Sequence, residues 1–216
     1  MIRLVNFLLL IKSIINYNKK IIDEGKTPPG LYKICNCIRE TFCLSYAIRK
    51  NNNLYIYFQR ERVLVNFQGN KLKFLGPDER SQALLLLRAI ENVNPLEGGL
   101  WRKSTPGIYI RVFSSHDTFI NFLRSKELNN LILVLFNHDS EISESFNKLK
   151  IFDTFDNLED PFFIIPSYNI TTEDLDFVKI FNDLKDIKFL TLSRINRLED
   201  IFLYINFQMD LSKNSN

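Results

Sequence analysis

The sequence predicts an α/β protein built on one mostly parallel sheet. Short β-rich runs alternate along the chain with segments of helical periodicity. One run, Asn130 to Phe136 (NLILVLF), is continuously apolar, the mark of a strand buried on both faces. The 216 residues are 45% apolar and 25% charged, the balance of a folded domain, and no clean linker or internal repeat divides them. One domain over residues 1–216 is the expectation.

The elements follow in order. Ile2 to Ile11 predicts a buried strand, and the polar stretch after Lys19 ends in the breaker cluster Thr27-Pro28-Pro29-Gly30. Leu31 to Arg49 carries apolar residues at Ile34, Cys37, Ile38, Phe42 and Leu44, which predicts a helix ending near Lys50. Leu54 to Phe58 and Arg62 to Phe67 predict a hairpin, and Lys71 to Leu75 a short strand stopped by Gly76-Pro77. Pro77 opens a helix running to about Val93, with acids in its first turn where the helix dipole favours them.

Asn94 to Pro106 predicts a loop, Gly107 to Val112 a strand and Asp117 to Ser125 a helix. Beyond the strand ending at Phe136, a helix is expected from Ile142 to Leu149, a strand from Phe162 to Ile165 and a helix opening at Thr171-Thr172-Glu173-Asp174. Phe189 to Leu192 predicts the last strand. Asn196 to Met209 predicts the last helix, with Leu198, Ile201, Phe202, Ile205 and Met209 on one face.

Composition excludes several classes. The three cysteines, Cys35, Cys37 and Cys43, are odd in number and crowded into one apolar segment, so they do not form a disulfide framework. They read as buried thiols in a reducing compartment. With only two histidines, His116 and His138, no zinc site is expected, and no metal is called for. The apolar run from Leu4 to Ile15 is interrupted by Asn6 and Lys12 and is shorter than the ~20 residues of a membrane span, so a cytoplasmic chain without a membrane partner is expected. No phosphate loop, dinucleotide fingerprint or nucleophile elbow is present. A formal net charge of +3 permits nucleic-acid binding without requiring it. Arg49-Lys50, Arg60 with Arg62, Arg80, Arg102-Lys103 and Arg194 with Arg197 are the candidate phosphate contacts. Residue types and spacing carry the reading no further than an α/β domain.

One segment resembles a known family. Leu75-Gly76-Pro77-Asp78-Glu79-Arg80-Ser81 is similar to the Asn-Pro-Asp-Glu-Arg-Ser signature of the archaeal tRNA pseudouridine-54 N1-methyltransferases, members of the SPOUT superfamily. Three further stretches resemble that family in the same order: Phe42 to Lys50, Phe67-Gln68-Gly69-Asn70-Lys71-Leu72, and Thr105-Pro106-Gly107-Ile108-Tyr109-Ile110. The likeness runs from about Gly30 onward and sets residues 1–30 apart as a divergent N-terminal extension.

The resemblance implies a SPOUT-like α/β fold with a deep trefoil knot in the C-terminal part, about residues 130–210, and a homodimer. It implies S-adenosylmethionine as cofactor and tRNA as partner, with methyl transfer to N1 of a T-loop pseudouridine. Its cofactor loops follow the strands ending at Phe136, Ile165 and Leu192, so Phe136, Pro166, Leu190, Leu192 and Ile201 are the expected pocket residues. Arg49 and Arg80 are expected to hold RNA phosphate or the ionised base.

The chain also departs from the family. The family's Asp before the first core helix aligns with Lys33 and its Asn with Arg39. In the final helix only Asp210 remains of an Asn-Glu-Leu-Asp stretch. Pro166 lacks an N–H, and Leu192 is bulky where the family has glycine. Two readings therefore stand: an active methyltransferase, or a paralogue that has lost the cofactor and serves as a dimeric RNA-binding or interaction protein.

Overall fold

The computed structural model describes residues 4–91, 93, 99–125, 130–136, 150–151, 154–156, 158–167, 187–192 and 195–214. The strands are β1 (Val5–Ile11), β2 (Asn52–Phe58), β3 (Val63–Gln68), β4 (Arg102–Thr105), β5 (Ile108–Val112), β6 (Leu131–Phe136), β7 (Lys150–Ile151), β8 (Phe162–Pro166) and β9 (Lys188–Leu192). The helices among the described residues are α1 (Lys19–Asp23), α2 (Pro29–Phe42), α3 (Glu79–Glu91), α4 (His116–Arg124) and α5 (Leu198–Asn214). The strands form one sheet in the order β4-β5-β3-β2-β1-β8-β6-β9-β7. From β2 to β7 every pairing is parallel; β3, β5 and β4 join at the other end in antiparallel pairs.

The predicted α/β class and mostly parallel sheet are therefore present. The first strand is its central element: β1 pairs with β2 on one edge and β8 on the other. All seven residues of VNFLLLI are buried, which explains why this run is apolar at every position except Asn6. Phe7, Leu9 and Ile11 face the layer of α2, α3 and α5. The Phe7 ring lies 5.2 Å from that of Phe202 in α5, centroid to centroid. Leu8 and Leu10 face the opposite core, where Tyr57 stacks on Phe119 of α4 at 3.7 Å. Ser115 and Thr118 form a reciprocal capping box that starts α4 there.

Four expectations need correction. The helix predicted over Leu31 to Arg49 stops at Phe42. Cys43 turns extended, Cys43 and Ile48 form a bridge, and the Arg49 N–H returns to the Phe42 carbonyl at 2.7 Å, so residues 43–49 are a tight loop. Lys71 to Leu75 is not a strand, because both edges of β3 are already taken by β2 and β5. Part of the predicted loop before Pro106 is the edge strand β4. The short helix α1 lies in the stretch read only as polar; Asn18 caps it by accepting from the Ile21 N–H at 3.0 Å. The helices expected at 142–149 and from Thr171 lie outside the described residues.

α2 and α5 pack side by side, and buried amides fix their register. Asn52 at the start of β2 donates to the Thr41 carbonyl (2.7 Å) and to Asn206 Oδ1 of α5 (2.9 Å). Asn206 in turn donates to the Glu40 carbonyl at 2.8 Å. Cys35 and Cys37 lie in the same layer, and burial pushes the Cys35 thiol up to about 12, so both are inert packing groups.

The amide chain makes a stability prediction. Asn52→Leu removes the donor to two buried acceptors, and each lost partner costs about 1–3 kcal/mol. Urea unfolding should show a loss of at least ~2 kcal/mol. An unchanged midpoint would show that the amide chain does not hold α2 and α5 in place.

Candidate functional site

Because β2, β1, β8, β6 and β9 run in one direction, their carboxyl ends share one edge of the sheet. Open parallel sheets bind ligands along this edge. Register places Pro166 beside Leu10 and Phe136 beside Leu192, so three of the five predicted pocket residues end adjacent strands. Leu190 and Leu192 project into the same core cluster as Ile201 of α5, whose side chain is fully buried. Three of the five predicted residues thus end strands at one edge, while Leu190 lies inside β9 and Ile201 on α5. Among the described residues of this edge, Pro166 has no N–H, and the Ser167 N–H is committed to the Leu10 carbonyl at 2.9 Å. The connections after β6, β8 and β9, which would carry the expected knot, fall mostly on residues 137–149, 168–186 and 193–194, outside the described residues.

The two predicted arginines lie elsewhere. Arg49 precedes β2 and so sits at the amino edge of the parallel strands, about 20 Å from the opposite edge at ~3.3 Å per strand residue. Its Nη1 meets Asp210 Oδ2 of α5 at 2.6 Å, which fixes the direction of the guanidinium. The Arg49 carbonyl abuts Gly69 so closely that a Cβ there would lie 2.4 Å from it, so only glycine lets the β2–β3 hairpin close against this loop. Arg80, in the first turn of α3, donates from Nε and Nη2 to Asp23 Oδ1 of α1 at 2.9 and 2.8 Å. Hydrogen bonds from Lys19 and then Arg80 hold the Asp23 carboxyl below its ordinary range. Arg49 is thus not brought to the carboxyl edge of its own chain.

The signature residues around Arg80 shape a loop. Asp78 Oδ1 accepts from the Ser81 N–H at 2.8 Å and caps α3. Ser81 Oγ accepts from the Gly76 N–H (3.0 Å) and donates to the Phe74 carbonyl (3.2 Å), while Gln82 Nε2 donates to the Gly76 carbonyl (3.2 Å). Lys33, where the family has an acid, is exposed on α2, and Arg39 pairs with its neighbour Glu40 at 2.9 Å.

Sequence reasoning missed Glu199. Its buried carboxylate accepts from Asn36 Nδ2 of α2 at 3.4 Å and is gripped by Arg197. Burial alone would raise this carboxyl. Its backbone hydrogen bond and the Arg197 guanidinium outweigh burial and hold it below the ordinary range. Arg197, expected among the phosphate contacts, is instead the ion-pair partner of Glu199; only their two-residue spacing hinted at this. Among the described residues no group of three His, Cys, Asp or Glu side chains could hold a metal ion, and no helix is long and apolar enough to cross a membrane.

Comparison with known proteins identifies the chain's family. The chain is 31% identical over 140 residues to the tRNA (pseudouridine(54)-N(1))-methyltransferase of Methanococcus aeolicus, covering 63% of this chain and 66% of that protein. It is 28% identical over 172 residues to the protein so named in Methanococcus maripaludis (78% and 80%). It is 36% identical over 84 residues to that of Methanocaldococcus jannaschii (36% and 41%). The chain thus spans less than two thirds of the length of two of these three relatives. A family model described as "Putative SAM-dependent RNA methyltransferase" matches residues 30–193, the greater part of the chain, and it is to this family that the chain belongs.

Proposed function

We propose that the protein is an S-adenosylmethionine-dependent RNA methyltransferase acting on N1 of a pseudouridine in the T-loop of tRNA, in the cytoplasm and as a homodimer. The observation that carries this reading is the shared edge where Phe136, Pro166 and Leu192 end adjacent parallel strands, in a chain of this family. The relatives' printed names supply the substrate.

Bound at that edge, S-adenosylmethionine supplies an electrophilic methyl group. Leu190, Leu192 and Ile201 would wall the adenosine, and Pro166 would shape the rim with no donor of its own. Polar recognition would fall to the segments that follow β6, β8 and β9. The work of this chain is positioning, since transfer needs the reacting atoms about 3–3.5 Å apart. Arg49 keeps N–H donors beyond those spent on Asp210, and these suit a phosphate or the anion of a deprotonated N1.

The separation of the two edges supports a site completed by a second copy. α5 exposes Leu203, Phe207 and Leu211, one helical turn apart, as an apolar stripe. Asp210 neighbours that stripe, so a copy docked there lies beside Arg49. The retained fold with Lys33, Pro166 and Leu192 favours a second reading, a dimeric RNA-binding protein without a cofactor.

Calorimetric titration with S-adenosylmethionine and S-adenosylhomocysteine separates the two readings. Binding in the micromolar range supports the enzyme. No binding to a folded dimer leaves the second reading. A further prediction concerns the composite site. Arg49→Ala and Leu192→Trp chains, each confirmed to unfold cooperatively, are inactive alone. When they are mixed, one intact site forms in each mixed dimer, and about a quarter of wild-type activity should return. No recovery in confirmed mixed dimers would place both groups in one protomer's site.

A further inference from the structure

The loop that the signature residues hold is not used in the function proposed above, yet its geometry is specific. Phe74 is 77% exposed and sits at φ +67, a left-handed conformation that is an outlier for a bulky residue. The surrounding bonds over-determine that strain, since Ser81 Oγ fixes both the Phe74 carbonyl and the Gly76 N–H. The ring is thereby turned to water by a network that costs strain to maintain.

A second ring stands nearby. Tyr46 is 102% exposed at the tip of the loop closed by the Cys43–Ile48 bridge and the Leu44 N–H to Ala47 carbonyl bond of 2.9 Å. The two loops touch where Cys43 Sγ meets the Gly76 carbonyl at 3.9 Å. Leu44, two residues before Tyr46, is exposed as well. Single exposed apolar residues are ordinary, but three on two touching, hydrogen-bonded loops are not. The segments 43–50 and 71–77 carry Arg49, Lys50, Lys71 and Lys73 and contain no acid.

We propose that Tyr46 and Phe74 form a stacking platform for unpaired bases of the substrate RNA, with Lys50 and Lys73 beside it on the phosphates. The inference rests on the RNA-methyltransferase reading and adds to it the element that would select single-stranded over duplex RNA. Aromatic faces flanked by cations match the chemistry of a base attached to its phosphate, whereas an apolar protein partner would not call for the cations. On this account Asp78 and Ser81 act as positioning residues, and the signature segment builds a binding surface.

The test is equilibrium binding of an RNA hairpin with an open loop, against a blunt duplex of the same length. Phe74→Ala and Tyr46→Ala should each weaken hairpin binding about 5- to 150-fold and leave duplex binding unchanged. The slope of affinity against salt should not move, because the rings release no counterions. Phe74→Gly, which tolerates the positive φ, should lose as much as Phe74→Ala, and Phe74→Trp should keep affinity. Hairpin binding by Phe74→Ala equal to wild type overturns the proposal, as does an equal loss on the duplex. So does dissociation of the variant dimer in sedimentation, which would make the rings a contact between copies. Wild-type protein that binds no RNA overturns the parent reading as well. Binding that survives in Phe74→Ala overturns this inference alone.

Discussion

Strand β1 is hydrogen-bonded on both edges and covered on both faces, and the rest of the molecule is arranged around that condition. Its β2 edge carries the β2–β3 hairpin, and its β8 edge carries the strands at which the proposed cofactor residues lie. Phe7 joins α5 to the sheet on one face, while Leu8 and Leu10 build the second core on the other. Residues 1–30, outside the segment that resembles the family, therefore supply the strand that unites the two halves. Without that seven-residue strand, the pairing that aligns Leu10 with Pro166 is lost.

From the same arrangement comes the division of the site. Parallel strands have two chemically different edges, and this chain uses both. Among the described residues, the carboxyl edge gathers buried side chains, Leu10, Ile165 and Leu192 among them. The amino edge holds the Asp210-braced Arg49, and the Ser81-braced Phe74 loop meets the end of α2 there through Cys43. α5 connects them, with Ile201 toward one edge and Asp210 at the other. On the proposed function, recognition and chemistry fall on separate surfaces, and a second copy on the exposed face of α5 would bring them together.

Much of the fold was legible because burial leaves a plain record. NLILVLF and VNFLLLI are apolar on both alternating sets of positions, and only a two-sided strand needs that. The errors arose where a long-range contact decides. Lys71 to Leu75 has strand composition, but no free edge of β3 remains for it. The apolar spacing through Phe42 and Leu44 continues past the true helix end, which the backbone bonds of the 43–49 loop set. In the site, the pocket strands could be read from their apolar runs. The ion pairs of Arg49 with Asp210 and Arg80 with Asp23 join residues far apart in sequence, and local pattern does not encode them. The strained φ of Phe74 is equally invisible, since its composition suggests a strand.

Mass spectrometry of RNA after incubation with a labelled methyl donor tests the central claim most directly. A pseudouridine-containing T-arm hairpin and its uridine counterpart would be compared. The account predicts one labelled methyl group at N1 of pseudouridine and none on the uridine hairpin, whose ring nitrogen at that position carries the sugar. Unlabelled RNA of both kinds, from a folded dimer that binds the hairpin, would contradict it and leave an RNA-binding protein on a methyltransferase fold.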